Sequence, residues 1–261
     1  MARSKPLNGA PRYFAPSRPQ APSPAARPTP PRRLPADLPA AAGIGMASER
    51  ARLRMVAALA QSGVRDSAVL DAMASIPRHV FVEQAFASRA YEDCSLPIGH
   101  GQTISRPTTV ARMLEHALAP IAPPARASAV VLEVGTGCGY QAAVLARLVG
   151  QVVSIERLRA LHEQARGNLR SARIGNLRLV FGDGRDGVGS MAPYDAIVAA
   201  AAGDRIPDAW LMQLKVGARL LAPVSEDGRQ TLQMIERTSP SDWQMTRLDT
   251  VRFVPLRVGT N

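Results

Sequence analysis

The amino-acid sequence predicts an α/β fold whose core is a doubly wound, mostly parallel sheet, with a small helical module ahead of it. Near-continuous apolar strands alternate with helical stretches from Ala129 onward, and a glycine-rich turn joins the first strand to the first helix. Residues 46–128 instead follow a helical periodicity, interrupted by one Gly- and Pro-rich loop. Strands that are apolar on both faces and alternate with helices indicate a parallel sheet covered on both sides.

A chain of 261 residues suits one α/β domain with residues to spare. Its longest apolar stretches, such as Ala196 to Ala202, stop far short of the roughly 20 residues needed to cross a bilayer, so no membrane span is expected. No continuous apolar segment with a small-residue cleavage site marks the N-terminus, and cytoplasmic placement is expected. Cys94 and Cys138 stand far apart without a Cys-x-x-Cys pairing, so both read as reduced small hydrophobes and no metal is expected.

The formal net charge of +11 is unevenly spread. Residues 1–45 carry Arg3, Lys5, Arg12, Arg18, Arg27, Arg32 and Arg33 against Asp37 alone, more than half of the excess. What remains is too dispersed to argue for a nucleic-acid groove. The same segment holds eleven of the 22 prolines and lacks apolar periodicity, so it is expected to be a disordered tail. It reads as a solvated tail or as a basic tether for an acidic surface or RNA.

Residues 46–128 form the expected helical module. Leu53, Val56, Ala57 and Ala60 recur at helical spacing until Gly63, and a second helix runs from Asp66 as N-cap to Ile76, broken by Pro77. Tyr91 to Ser105 has no clean period and reads as an ordered loop, before a third helix from Thr108 to Leu118. In the core, residues 129–261, strands are expected at Val130–Val134, Val152–Ile155, Leu177–Val180 and Asp195–Ala199, with helices at Tyr140–Val149 and Arg157–Ala172. Further strands are expected near Arg219–Ala222, at Thr231–Ile235 and, last, at Asp249–Val254.

Glu133-Val134-Gly135-Thr136-Gly137-Cys138-Gly139-Tyr140 spans the first strand-to-helix turn, where glycines permit close backbone approach and a helix N-terminus offers free N–H groups. Tyr140 occupies the position of the third glycine of a dinucleotide fingerprint. The Gly-x-Gly-x-Gly spacing resembles instead the first motif of class I S-adenosylmethionine methyltransferases. Glu156 ends the next strand, 21 residues after Gly135, where a carboxylate can accept from ribose hydroxyls. Gly182-Asp183-Gly184 follows the third strand, with an Asp able to accept from an adenine amino group or simply to make a turn. The candidate cofactor residues are Glu133, Gly135, Gly137, Gly139, Glu156, Asp183 and Gly184, and the cofactor the resemblance implies is S-adenosyl-L-methionine.

Ahead of these lies Leu96-Pro97-Ile98-Gly99-His100-Gly101-Gln102-Thr103-Ile104-Ser105, followed by Pro107. Together with Ile76-Pro77-Arg78, Phe81-Val82, Tyr140-Gln141, Ile206-Pro207 and Arg252-Phe253-Val254-Pro255-Leu256, it resembles the protein-L-isoaspartate O-methyltransferase family from about Arg52 to Val258. That resemblance implies methyl transfer to the free carboxylate of L-isoaspartyl residues, after which the ester collapses to a succinimide and some normal aspartate is regenerated. It also implies that Ser105 takes the position of the catalytic hydroxyl. Thr103, Ile104, Ser105 and Val254 then belong to the substrate site, and the partners are isoaspartyl-containing proteins and peptides.

Read from local sequence alone, Ser105 is equally an N-cap for the helix beginning near Pro107. His100 reads as a loop-stabilising residue, since a carboxylate acceptor needs no general base, and Asp93 as a loop-orienting or solvated turn acid. One departure from the family pattern is Ala200-Ala201-Ala202-Gly203-Asp204, where Thr-Ala-Ala-Pro-like residues are usual; it alters the wall between cofactor and acceptor. Two rival functions remain at this level: a methyltransferase of the same fold with a small-molecule or nucleic-acid acceptor, and a non-catalytic cofactor-binding or RNA-interaction protein.

Overall fold

The computed structural model describes residues 45–261. The basic, Pro-rich segment expected to be a tail lies outside the described residues. Helix α1 (Gly45–Gln61) ends at Gly63, whose φ of 106° is open to glycine at little cost. Helix α2 (Ser67–Ser75) starts as expected on Asp66, whose carboxylate accepts from Ala68 N at 3.0 Å and Val69 N at 3.3 Å. Two short 3₁₀ turns lead to a miniature hairpin, β1 (Leu96–Pro97) and β2 (Thr103–Ile104), inside the segment read as a loop. Helix α3 (Pro107–Leu118) closes the module with a strongly apolar face: Val110, Ala111, Met113, Leu114, Ala117 and Leu118 are all buried.

The core runs β3 (Val130–Val134), α4 (Tyr140–Leu148), β4 (Gln151–Glu156), α5 (Arg159–Ser171), β5 (Leu177–Phe181), β6 (Tyr194–Ala199), α6 (Asp208–Gln213), β7 (Leu214–Glu226), β8 (Arg229–Arg237) and β9 (Trp243–Thr250). The seven strands β3 to β9 form one sheet in the order β5-β4-β3-β6-β7-β8-β9. The first five in sequence are parallel, and β8 and β9 add antiparallel to β7. The fold is therefore a mostly parallel, Rossmann-like sandwich. From β3 the chain winds outward to β4 and β5, then returns to the other side of β3 as β6. The carboxyl ends of β3 and β6 thus flank the switch point, where ligands of open α/β sheets bind.

Alternation along the strands divides two cores. Val131, Val152, Ala196 and Leu221 face α1 to α5, whereas Leu132, Val134, Val153, Ile197 and Leu220 face Trp210 of α6. The helical module thus shares one core with α4 and α5. Tyr140, buried at 1% exposure, is the pin between them: its hydroxyl meets Met73 Sδ at 3.5 Å, Phe81 meets its ring edge at 5.6 Å, and the Arg78 guanidinium lies over its face at 4.9 Å.

The last strand departs from expectation. Trp243–Thr250 forms β9, while residues 251–254 leave the sheet as an extended strap that bonds to Gln230 and Ala202. As an edge strand β9 is mostly exposed, so it carries no apolar alternation, and the apolar Val251, Phe253 and Val254 belong to the strap. No helix among the described residues is long and apolar enough to cross a membrane.

Candidate active site

The carboxyl ends of β3, β4 and β6, the β1–β2 hairpin and the strap surround a cleft of about 840 Å³, part of it open to solvent. The cleft brings together Thr103, Ile104, Ser105, Gly135, Gly137, Glu156, Gly184 and Val254 from the sequence-derived candidates. Glu133, Gly139 and Asp183 do not line it.

The glycine turn explains these placements. Gly137 has φ 56°, and a Cβ there would stand 3.2 Å from Ile98 Cδ1, so its lack of a side chain lets the hairpin close onto the turn. Gly139 is the N-cap of α4, and a Cβ on it would press against Leu169 of α5 at 3.2 Å; its contact is with a helix rather than with the cleft. Asp183 is held by the chain itself: its carboxylate accepts from Arg185 N at 2.9 Å and from Gly259 N at 2.6 Å.

Glu156, 5% exposed, is engaged on three sides. One carboxylate oxygen accepts from Arg157 N and Leu158 N, both at 2.9 Å, and the other from Gly137 N at 2.9 Å. A carboxylate offers about four acceptor positions, so about one remains for a ligand hydroxyl unless Gly137 yields its own. Beside it, Gln141 is 7% exposed and lines the cleft; its amide neighbours the Glu133 carboxyl but makes no hydrogen bond of ordinary geometry among the described residues. Buried amides with unmet hydrogen-bonding capacity are uncommon, and this one suits a polar ligand group. The local sequence carried one signal for Gln141: a polar residue in a helix whose neighbours Tyr140, Ala142, Ala143, Val144 and Leu145 are all buried and otherwise apolar.

Glu133 lies beneath the cleft, fully buried on the α4 side of β3. Its carboxylate accepts from Ser154 Oγ at 2.5 Å, which in turn shares a hydrogen bond with Thr136 Oγ1, a residue of the cleft wall. Burial pushes its carboxyl up to about 8; Ser154 and the neighbouring Gln141 oppose the rise, and the Glu156 charge adds to it. Glu133 is therefore a neutral acid at pH 7, holding the glycine turn through two hydroxyls. Because its folded pKa exceeds the unfolded value, the folded protein retains a proton that the unfolded chain has lost above about pH 4.5. The stability it confers is thus full below that pH and falls until about pH 8. Thermal unfolding from pH 5 to 9 is expected to show Glu133→Gln losing less stability than the parent, and parallel curves would refute the assignment.

On the acceptor side, Ile98 N donates to Gln102 O at 3.0 Å and Gln102 N to Gly99 O at 2.9 Å, closing the hairpin turn. His100 sits at its exposed tip with φ 53°; its imidazole makes no hydrogen bond among the described residues and does not line the cleft. The capping reading of Ser105 is corrected. Arg106 occupies the N-cap of α3 without a side-chain bond, and Ser105 Oγ has no hydrogen-bond partner among the described residues. Asp93 secures the helix start instead, accepting from Thr108 N at 2.9 Å and from Arg106 Nη2 at 2.5 Å. Burial disfavours its charge, but the Arg106 and Thr108 hydrogen bonds outweigh this and hold its carboxyl below the usual range. Ser105 borders both this cleft and an outer groove, with Val254 on the facing strap.

Ala200 and Ala201 form the wall at the unusual segment after β6. The strap is fixed there by Ala202 N to Val254 O at 2.8 Å and Leu256 N to Ala202 O at 2.7 Å. Cys138, its thiol pushed up to about 11 by burial, is an inert wall residue.

Residues 50–261 match the profile of the family described as protein-L-isoaspartate(D-aspartate) O-methyltransferase. A Bordetella avium protein-L-isoaspartate O-methyltransferase is 55% identical over 219 residues, covering 84% of this chain and 81% of the relative. A Burkholderia mallei protein of the same name is 54% identical over 217 residues, 83% of this chain, and the match spans only 66% of that relative's length. A solved protein-L-isoaspartate O-methyltransferase superposes with a TM-score of 0.71 at 32% identity, covering 78% of this chain and 65% of the other. A Plasmodium falciparum structure of that description, in complex with S-adenosyl-L-homocysteine, gives 0.69 at 22% identity over 79% of this chain and 98% of its own, which speaks to the fold alone. The chain belongs to the protein-L-isoaspartate(D-aspartate) O-methyltransferase family.

Proposed function

We propose that this protein transfers a methyl group from S-adenosyl-L-methionine to the free α-carboxylate of L-isoaspartyl residues in proteins and peptides, the first step of their repair. One observation carries the reading: a single cleft joins a glycine turn and Glu156 to the hydroxyl of Ser105, which has no partner among the described residues. The names of relatives more than 50% identical support the same substrate class.

The residues present fit the cofactor. Glu156 keeps about one acceptor position for a ribose hydroxyl, Gln141 offers a buried amide, and Gly184 lines the same cleft. When bound, S-adenosylmethionine supplies a methyl group on a sulfonium, so the new C–O bond forms as the C–S bond breaks and the electron pair stays on sulfur. An aspartyl-type carboxylate is already ionised at neutral pH, so the protein needs no general base. Its task is to position the acceptor oxygen, an effect that can supply up to about 7–11 kcal/mol. Ser105 Oγ donates to the carboxylate at the inner end of the acceptor path, with Thr103 and Ile104 beside it and Val254 opposite. Glu133, Ser154 and Thr136 keep the glycine turn in register from below.

Cytoplasmic placement belongs to the same proposal, supported by two free cysteines, one of them buried. The test is radiolabelled methyl transfer to an isoaspartyl peptide beside its aspartyl twin. Label on the isoaspartyl peptide alone is expected. Label on neither would favour a different acceptor or a non-catalytic role.

A further inference from the structure

Beyond Ser105 the cleft gives way to an outer groove between the start of α3, the β7–β8 turn and the strap. Its charged lining consists of Asp93, Arg106, Arg229 and Arg252. Asp93 and Arg106 neutralise each other at 2.5 Å. Arg229 and Arg252 are exposed and have no ion-pair partner among the described residues.

Neighbouring acids do not compensate them. Glu226 stands opposite Arg229 in the register, but its carboxylate is taken by Arg247 at 2.8 Å and Gln233 at 3.1 Å. Asp249, at the end of β9, is taken by Arg112 at 2.6 Å. Glu92, beside Asp93, is taken by Arg89 at 3.0 Å, and neither it nor the exposed Asp227 of the turn lines the groove. The groove therefore holds two uncompensated cations, and its inner end is the hydroxyl that faces the acceptor.

We propose that this groove receives the polypeptide flanking the acceptor residue, and that Arg229 and Arg252 make the protein favour acceptors with Asp or Glu within a few residues of the methylated site. This rests on the isoaspartyl reading above. Charge complementarity identifies the occupant: an acidic stretch of the acceptor chain matches two free guanidiniums, whereas a basic stretch meets like charge. Exposed pairs are individually weak and screened by salt, so the preference is modest and salt-sensitive.

Three isoaspartyl peptides, identical except for Glu, Gln or Lys flanks, test it through kcat/KM. The parent enzyme is expected to rank Glu above Gln above Lys, with a Glu-to-Lys ratio of roughly threefold to tenfold that shrinks toward one in 0.5 M salt. R229Q/R252Q should flatten the ranking and R229E/R252E should invert it; both positions are solvent-exposed, so neither pair disturbs the core. Equal rates for the three peptides, or an unaltered ratio in the charge-reversed enzyme, would overturn the groove while leaving the isoaspartyl reading intact. Failure to methylate any of the three would overturn the isoaspartyl reading, and the groove proposal with it.

Discussion

Ser105→Asp is expected to give a folded enzyme whose isoaspartyl methylation is slower by two orders of magnitude or more. The added carboxylate would stand where the acceptor's own must lie, and like charges about 4 Å apart at an effective dielectric of 20 repel by about 4 kcal/mol. Ser105→Ala should cost tenfold or more, since about 1.4 kcal/mol of lost transition-state stabilisation is a factor of ten. Both variants should keep the parent's melting temperature within a few degrees, because Arg106 rather than Ser105 holds the N-cap of α3 and Ser105 Oγ bonds to nothing among the described residues. Cofactor affinity should hardly move in either. Steady-state rates with an isoaspartyl peptide, paired with thermal unfolding, are the measurement. An active Ser105→Asp enzyme would remove Ser105 from the acceptor site without touching the cofactor assignment.

Glu156→Ala is expected to weaken S-adenosylmethionine binding by about 1.5–3 kcal/mol, the scale of hydrogen bonds to a charged group and roughly tenfold to more than a hundredfold in Kd. Two effects act together. The ribose loses its acceptor, and Gly137 N loses the oxygen that holds the glycine turn at 2.9 Å. Glu156→Gln separates them in part, because the amide keeps one acceptor oxygen of the same shape, so an intermediate affinity is expected. Calorimetric titration reads the result, and an unchanged affinity in a folded Ala variant would contradict the role given to this carboxylate.

The two assignments differ in how they could be read from the chain. Glu156 follows an apolar strand at a fixed distance from three spaced glycines, a local pattern that carries its own physical meaning. The role of Ser105 came from the resemblance of its loop to a family, because Ser before Pro has an ordinary capping explanation. That explanation fails in the fold for a reason no local rule contains. Asp93, 15 residues from Thr108 in sequence, folds back to take the first-turn amide.

By itself the sequence determined the alternating strands and helices, the glycine turn after β3, Asp66 as a helix cap and the order of the site segments. Each follows from a short-range pattern: period 2, period 3.6, or a residue type with a narrow conformational range. Only the tertiary structure decided that Glu133 lies under the cleft, that Gly139 packs against Leu169, and that Asp183 binds the chain's own Gly259. Only it could show Gln141 buried with its amide incompletely bonded, or the last apolar segment leaving the sheet as a strap while a polar stretch took the edge. Burial and hydrogen-bond partnership are set by residues distant in sequence, and an edge strand lacks the two-faced burial that makes a strand visible in its own residues.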